Sequence, residues 1–192
     1  MASSSLNPSA IQSRQWIMDS LINLMEKKEW SDISISEIAT NAGVVRRTFY
    51  RHFDSKEDVL QAYLDGLVNI FVEALLKEPD LDTVASLRIL FTILKKNKKF
   101  YYGLRRSNML FTFLELWNRI LPVIHEQMST LNKLKRFPET KNEQTLEYLL
   151  AFNVGGTLNI VIKWIDEGMT LSPEELTSIV EEFSSGTLMK NS

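Results

Sequence analysis

Apolar side chains in this chain recur three and four positions apart and seldom alternate, and only seven glycines and five prolines interrupt its 192 residues. That periodicity lays one apolar stripe along each of several helices, so the sequence predicts an all-α fold. Asn7-Pro8 reads as an N-cap with proline at the first helical position. The stripe Ile11, Trp16, Ile17, Leu21, Leu24 and Met25 follows, giving a helix to about Lys28. Ser34 and Glu37 have the spacing of a capping box and start a second helix near Ile35; Gly43 ends it after barely two turns. A third short helix is expected from Val45 to His52. Ser55 then caps a long fourth one, whose stripe is Val59, Leu60, Leu64, Leu67, Phe71 and Leu75, up to Glu78-Pro79-Asp80. Further helices are expected at 83–97, 103–134, 143–168 and 173–186. Pro122 should kink or divide the one containing it, and 133–142 should form a loop.

The formal charge of −2 argues against a chain that is basic throughout, but it leaves room for a local basic surface. With no cysteine there is no disulfide, thiolate metal site or thiol nucleophile, which fits a cytoplasmic location. Residues 1–9 read as a flexible tail without the basic and apolar segments of a signal peptide. The longest uncharged apolar-leaning stretch, Tyr148 to Ile162, falls short of the ~20 residues a membrane span needs. No membrane partner is therefore expected.

Two short helices joined by a glycine-containing turn, the second basic on one face, form the pattern of a helix-turn-helix DNA reader. Counting ~100° per residue from Val45 gathers Val45, Phe49, His52 and Phe53 on a packing face. Arg46, Arg47, Tyr50 and Arg51 fall on the opposite side, with Thr48 at the boundary. The guanidinium fork can bridge guanine O6 and N7 or hold a phosphate. Between Gly43 and Lys56 four basic residues stand against one acid, Asp54, whereas residues 139–192 hold nine acids and three bases. The near-neutral total conceals a basic head and an acidic distal end.

The run Ile38-Ala39, Ala42-Gly43-Val44, Thr48-Phe49-Tyr50-Arg51-His52-Phe53, Ser55-Lys56-Glu57 and Leu60 resembles the DNA-binding domain of the tetracycline-repressor-like family of bacterial regulators. The resemblance implies an N-terminal three-helix helix-turn-helix domain, residues 10–56, joined by a long helix to a C-terminal effector-binding and dimerisation bundle, residues 57–192. It implies double-stranded DNA, a second copy of the chain and a small-molecule effector as partners. It assigns Arg46, Arg47 and Tyr50 to bases and Thr48, His52 and Lys56 to phosphates; Ser34, Ser36 and Arg51 complete the expected DNA-facing set. Two departures stand out: Val45 replaces the small hydroxyl residue that commonly caps the recognition helix, and Arg47 replaces a glycine or alanine. Downstream, Gly155-Gly156, Trp164, Glu167-Gly168-Met169 and Ser172-Pro173-Glu174-Glu175-Leu176 resemble the last two helices of a sensor-domain subgroup that includes regulators of dihydroxyacetone utilisation. That similarity implies a four-helix dimer interface, with Gly155, Gly156, Asn159, Lys163, Leu176, Ile179, Val180 and Phe183 as its candidates.

The large residues Phe100, Tyr101, Phe111, Phe113, Trp117, Phe152 and Trp164 are the candidates for lining an effector pocket. His125-Glu126 reads as a solvated helix face. From Thr83 to Leu114 there is no acid, while Arg88, Lys95, Lys96, Lys98, Lys99, Arg105 and Arg106 supply seven positive charges. The plain reading is a solvated loop between helices; an anionic effector, an extra DNA contact or a protein partner at 95–106 are the sharper ones. No metal or cofactor is expected, and no Gly-x-Ser-x-Gly or His-Glu-x-x-His pattern points to an enzyme. The main expectation is a homodimeric repressor released by a small molecule from a palindromic operator. A co-regulator, an activator included, that responds to a protein partner and an all-helical enzyme with a decorative helix-turn-helix are the alternatives.

Overall fold

A computed structural model of the protein describes residues 8–131, 133 and 142–184. The expected tail before Pro8, most of the expected loop 133–142 and the last residues of the helix predicted to reach 186 lie outside the described residues. The chain forms α1 (Pro8–Met25), a 3-10 turn (Trp30–Asp32), α2 (Ile35–Asn41), α3 (Arg46–His52), α4 (Lys56–Lys77), α5 (Thr83–Lys96), α6 (Lys98–Arg106), α7 (Leu110–Thr130), α8 (Glu143–Asp166) and α9 (Pro173–Ser184). The fold is all-α, as the periodicity predicts.

Local chemistry sets most of these boundaries. Ser55 and Asp58 form a reciprocal capping box at α4, and Ser172 with Glu175 does the same at α9. At α2 Ser34 accepts from the Glu37 amide at 3.2 Å, but the Glu37 carboxylate turns to Lys28 Nζ, 2.5 Å away. The expected box is therefore half formed. Gly43, at φ +68°, closes α2, and the Val44 amide reaches back to the Ala39 carbonyl at 2.9 Å.

The segment predicted as one helix over 103–134 is two. α6 begins earlier, at Lys98, and the break falls at Ser107–Met109, where Asn108 takes φ +54° and the Met109 amide bonds the Leu104 carbonyl. Asparagine tolerates this left-handed closure better than most residues. Pro122, by contrast, lies inside α7 without dividing it.

α1 packs against α2, α3, α4 and α6, tying a three-helix head (α1–α3) to the body. In the body α5 lies against α9, and α8 against α6 and α7. One contiguous core runs from Ile17 to Leu176. The head–body joint is close: a Cβ on Gly103 of α6 would sit 2.8 Å from Met25 Cβ and 3.1 Å from the Met25 carbonyl oxygen. Across the joint Lys99 pairs with Glu26 at 3.1 Å and the Trp30 amide donates to Ser107 Oγ at 3.0 Å; within the body the Tyr63 hydroxyl donates to Asn97 Oδ1 at 3.0 Å.

By length and composition alone, two helices could cross a membrane, Lys56–Lys77 and Gln144–Asp166, where the sequence reading expected none. α4 turns its apolar stripe, Val59 to Leu75, into the core. The apolar residues that α8 leaves exposed are taken up below.

Candidate nucleic-acid interface and internal cavity

A seven-residue helix such as α3 is too short to persist alone, so packing must hold it. Phe49 is fully buried and Phe53 nearly so, their rings 6.1 Å apart. Truncating a buried phenylalanine costs about 3–5 kcal/mol, enough to release α3 from the head. With Phe49 inside, Arg46, Arg47, Tyr50 and Arg51 are all exposed and Thr48 is half-buried. The Arg46 guanidinium donates to the Tyr50 hydroxyl at 3.2 Å, which fixes two neighbouring groups of the face. Val45 departs from the predicted packing face: it is 69% exposed and gives α3 no side-chain cap. As the N-cap it precedes the helix in extended backbone, where the helical angle count does not apply. Ser34 and Ser36 are exposed at the start of α2.

Lys56 and His52 are more engaged than their expected phosphate roles imply. Lys56 Nζ donates to the carbonyls of Trp30 at 2.6 Å and Ile33 at 2.9 Å, and stands 4.6 Å from the centre of the Trp30 ring. It staples the 3-10 turn to the start of α4. His52 Nε2 lies 2.9 Å from Ser13 Oγ, and the Arg14 guanidinium sits 4.3 Å from the Phe53 ring centre. Ser13 and Arg14 thus hold the end of α3 from α1. Nothing in the sequence marks them, because they lie almost forty positions from their partners.

Burial, aided by the Arg51 and Arg14 charges, lowers the His52 pKa below its ordinary 6.5, and burial lowers that of His125. The unfolded chain therefore binds more protons than the folded one as pH drops through 6.5, and stability falls with acidification. The melting temperature is expected to be lower at pH 5.5 than at pH 7.5. In a His52→Gln, His125→Gln double variant that difference should shrink; an unchanged difference would assign it to other groups.

The body holds a cavity of about 360 Å³ between α4, α5, α7 and α8, open to solvent on one side beside the exposed Leu149 and Asn153. Phe71 and Leu75 of α4, Leu87 and Leu90 of α5, Phe113, Trp117, Leu121 and His125 of α7, and Leu146, Asn153 and Thr157 of α8 are among its walls. Of the seven predicted pocket residues, only Phe113 and Trp117 line it. Phe100, Tyr101 and Trp164 are buried core instead, and burial raises the Tyr63 hydroxyl beside Phe100 to about 12. Phe111 and Phe152 point outward, 66% and 73% exposed. His125, read from sequence as part of a solvated face, is half-buried on the cavity wall. The misassignments share a cause: residue size marks burial, but only the packing of four separate helices decides which large side chains border the void.

The 95–106 segment is helical rather than a loop, and much of its charge is committed. Lys95 Nζ donates to the Met169 and Leu171 carbonyls, Arg105 forms a two-pronged pair with Asp166 at 2.7 and 3.1 Å, and Lys99 holds Glu26. Arg88 faces Glu78 at 3.6 Å. Among the expected dimer residues, Leu176 is buried within the chain, where α9 packs on α5. Gly156, Asn159, Lys163 and Ile179 are exposed, and Gly155 and Val180 half-buried. The Phe183 side chain lies outside the described residues.

A three-helix head whose last helix, α3, presents arginines to solvent, carried on a helical body, defines a helix-turn-helix regulator. Residues 17–63 match the family described as bacterial regulatory proteins, tetR family, and residues 82–186 match a transcriptional regulator C-terminal region. The chain belongs to the tetR family of bacterial transcriptional regulators, and is a regulator rather than an enzyme. Over 47 residues it is 49% identical to the HTH-type transcriptional regulator EthR of Mycobacterium tuberculosis, a match spanning 24% of this chain and 22% of that protein. EthR of Mycolicibacterium smegmatis is 38% identical over 64 residues, 33% of this chain and 30% of that one. The likeness to these relatives is thus confined to less than a third of their length. Among solved structures, the dihydroxyacetone kinase operon activator DhaS superposes with a TM-score of 0.62 at 23% identity, over 90% of this chain and 94% of that one. A Listeria innocua protein does so with a TM-score of 0.69 at 15% identity, over 96% and 95%. These similarities extend the fold match to the body.

Proposed function

We propose that the protein is a homodimeric repressor that reads a palindromic operator through α3 and leaves it when a small molecule enters the body cavity. The observation that carries the reading is the pairing of a rigidly held, exposed Arg46-Arg47-Tyr50-Arg51 face with a cavity bordered by α4, the helix that begins against the head. Arg46, Arg47 and Tyr50 take bases, with Thr48, Ser34 and Ser36 toward the backbone. A two-fold dimer would set the two reading helices about 34–36 Å apart, one turn of DNA. Selection of bound sequences from random duplex DNA should return a symmetric motif with that spacing. No enrichment at moderate salt would sink the reading.

The dimer face is assigned to α8 and α9. Tyr148, Phe152, Gly156, Asn159 and Lys163 follow one another at three- and four-residue steps and are all exposed, and Ile179 of α9 is exposed too. A Cβ on Gly155 or Gly156 would meet nothing within 4 Å among the described residues, which leaves room beside them for a partner helix. Phe152 therefore moves from the expected pocket to the interface. Phe152→Glu is expected to convert the dimer to monomer in light scattering at micromolar concentration, with operator affinity falling at least about tenfold while the helical signal persists. An intact Phe152→Glu dimer would place the interface elsewhere.

The cavity favours a small-molecule input over a protein partner at the basic segment, where four of the seven charges between Thr83 and Leu114 are already bound within the chain. The site of action is the bacterial cytoplasm, where the DNA lies.

A further inference from the structure

One side chain beside the reading arginines contributes nothing visible to the fold. Val45 is the most open of the large apolar side chains that the head exposes, at 69%, and it stands directly before Arg46-Arg47. It lies outside the core, and it makes no side-chain hydrogen bond at the start of α3, where a serine or threonine would cap the helix. Its backbone, by contrast, is fixed. The Val45 carbonyl accepts from the Thr48 amide at 2.8 Å and from the Phe49 amide at 3.2 Å, and Phe49 is sealed in the core. A β-branched side chain is stiff about its single rotatable bond, so little ordering entropy is lost when it makes a contact. Two methyl groups are thus held at a set place in solvent beside three guanidiniums and a phenol.

The major groove of DNA displays hydrogen-bonding edges at every base pair but only one apolar substituent, the C5-methyl of thymine. Valine can neither donate to nor accept from those edges, and burying a polar edge against it would be unfavourable. The thymine methyl is the one groove group that gains from meeting this side chain.

We infer that Val45 is a specificity-determining residue that reads a thymine in each operator half-site through its C5-methyl group. This inference rests on the proposed reading of DNA by α3. Neighbouring Cα atoms lie about 3.8 Å apart and successive base pairs about 3.4 Å, so the thymine belongs within two base pairs of the base that Arg46 reads.

The test uses the full-length protein and the symmetric duplex returned by sequence selection. Each thymine of the half-site is replaced in turn by uracil, which keeps the pairing and the hydrogen-bonding edge and lacks only the methyl. One position is expected at which uracil in both half-sites weakens binding about fifteenfold, about fourfold for each methyl removed from contact. Val45→Ser should bind the thymine and uracil duplexes within about twofold of each other. Its melting temperature should stay level or rise by up to about 4 °C, since serine can cap α3. In a selection with Arg46→Ala, the base preference that disappears should fall within two base pairs of that thymine.

Uracil tolerated at every position, a uracil penalty undiminished in Val45→Ser, or an Arg46-dependent base farther away would each overturn the inference while leaving the operator reading intact. A parent protein that enriches no sequence at all would instead bring down the reading of DNA on which the inference rests.

Discussion

Gly103→Ala is expected to lower the melting temperature by about 4–8 °C, even though alanine is the better helix former. The helix-propensity gain is about 1 kcal/mol. Against it stands the new methyl, 2.8 Å from Met25 Cβ and 3.1 and 3.2 Å from the Met25 carbonyl oxygen and carbon. Those are atoms fixed by the α1 backbone, not the end of a flexible side chain, so α6 and α1 must separate. Overpacking of this kind costs about 1–3 kcal/mol and occasionally more; a net loss near 2 kcal/mol in a chain of this size corresponds to the stated shift. Met25→Ala in the same background should not restore stability, since alanine retains the Cβ. Thermal denaturation of the single and double variants checks this; a Gly103→Ala protein as stable as the parent would mean the joint is looser than described.

The second large effect concerns Lys56. Sequence resemblance assigns it to a phosphate, and a surface lysine of that kind could be removed without loss of stability. Its ammonium instead caps the carbonyls of Trp30 and Ile33. Hydrogen bonds to charged groups contribute about 1.5–3 kcal/mol, so Lys56→Met should lower the melting temperature by about 4–8 °C. Operator affinity would fall with it, but the salt dependence separates the roles. A lost phosphate contact reduces the slope of log affinity on log salt by about one; a lost staple leaves it unchanged. An unchanged melting temperature with a reduced slope would return Lys56 to the phosphate role.

What was legible in the sequence was what is encoded within one or two turns of chain. Ser55, Ser172, Gly43 and Pro173 mark helix ends because capping involves residues at most a few positions apart. The face of α3 was legible for the same reason: seven residues and one angle settle which side chains oppose Phe49. Asn108 carried a weaker version of that signal, and Pro122 a misleading one, because a proline removes one amide donor and a long helix can continue around it. Val45 shows the limit at a helix boundary, where helical counting no longer holds. The cavity was not legible. Trp117 and Trp164, or Phe113 and Phe152, are alike in size and helical setting, and only contacts between helices distant in sequence make one line a void, another fill the core and a third face outward. Ser13 with His52 and Lys56 with Trp30 belong to the same class of long-range pairings.

The nine residues of α6 are gripped by the head through Glu26 and Met25 and by the body through Asp166 and Phe113, and Ser107 just beyond them is held by Trp30. In a regulator of the proposed kind this gives the helix a genetic signature. A screen for strains that stay repressed in the presence of inducer should recover substitutions in α6 that harm neither operator nor ligand binding, a class of allele that neither the reading helix nor the cavity wall can yield.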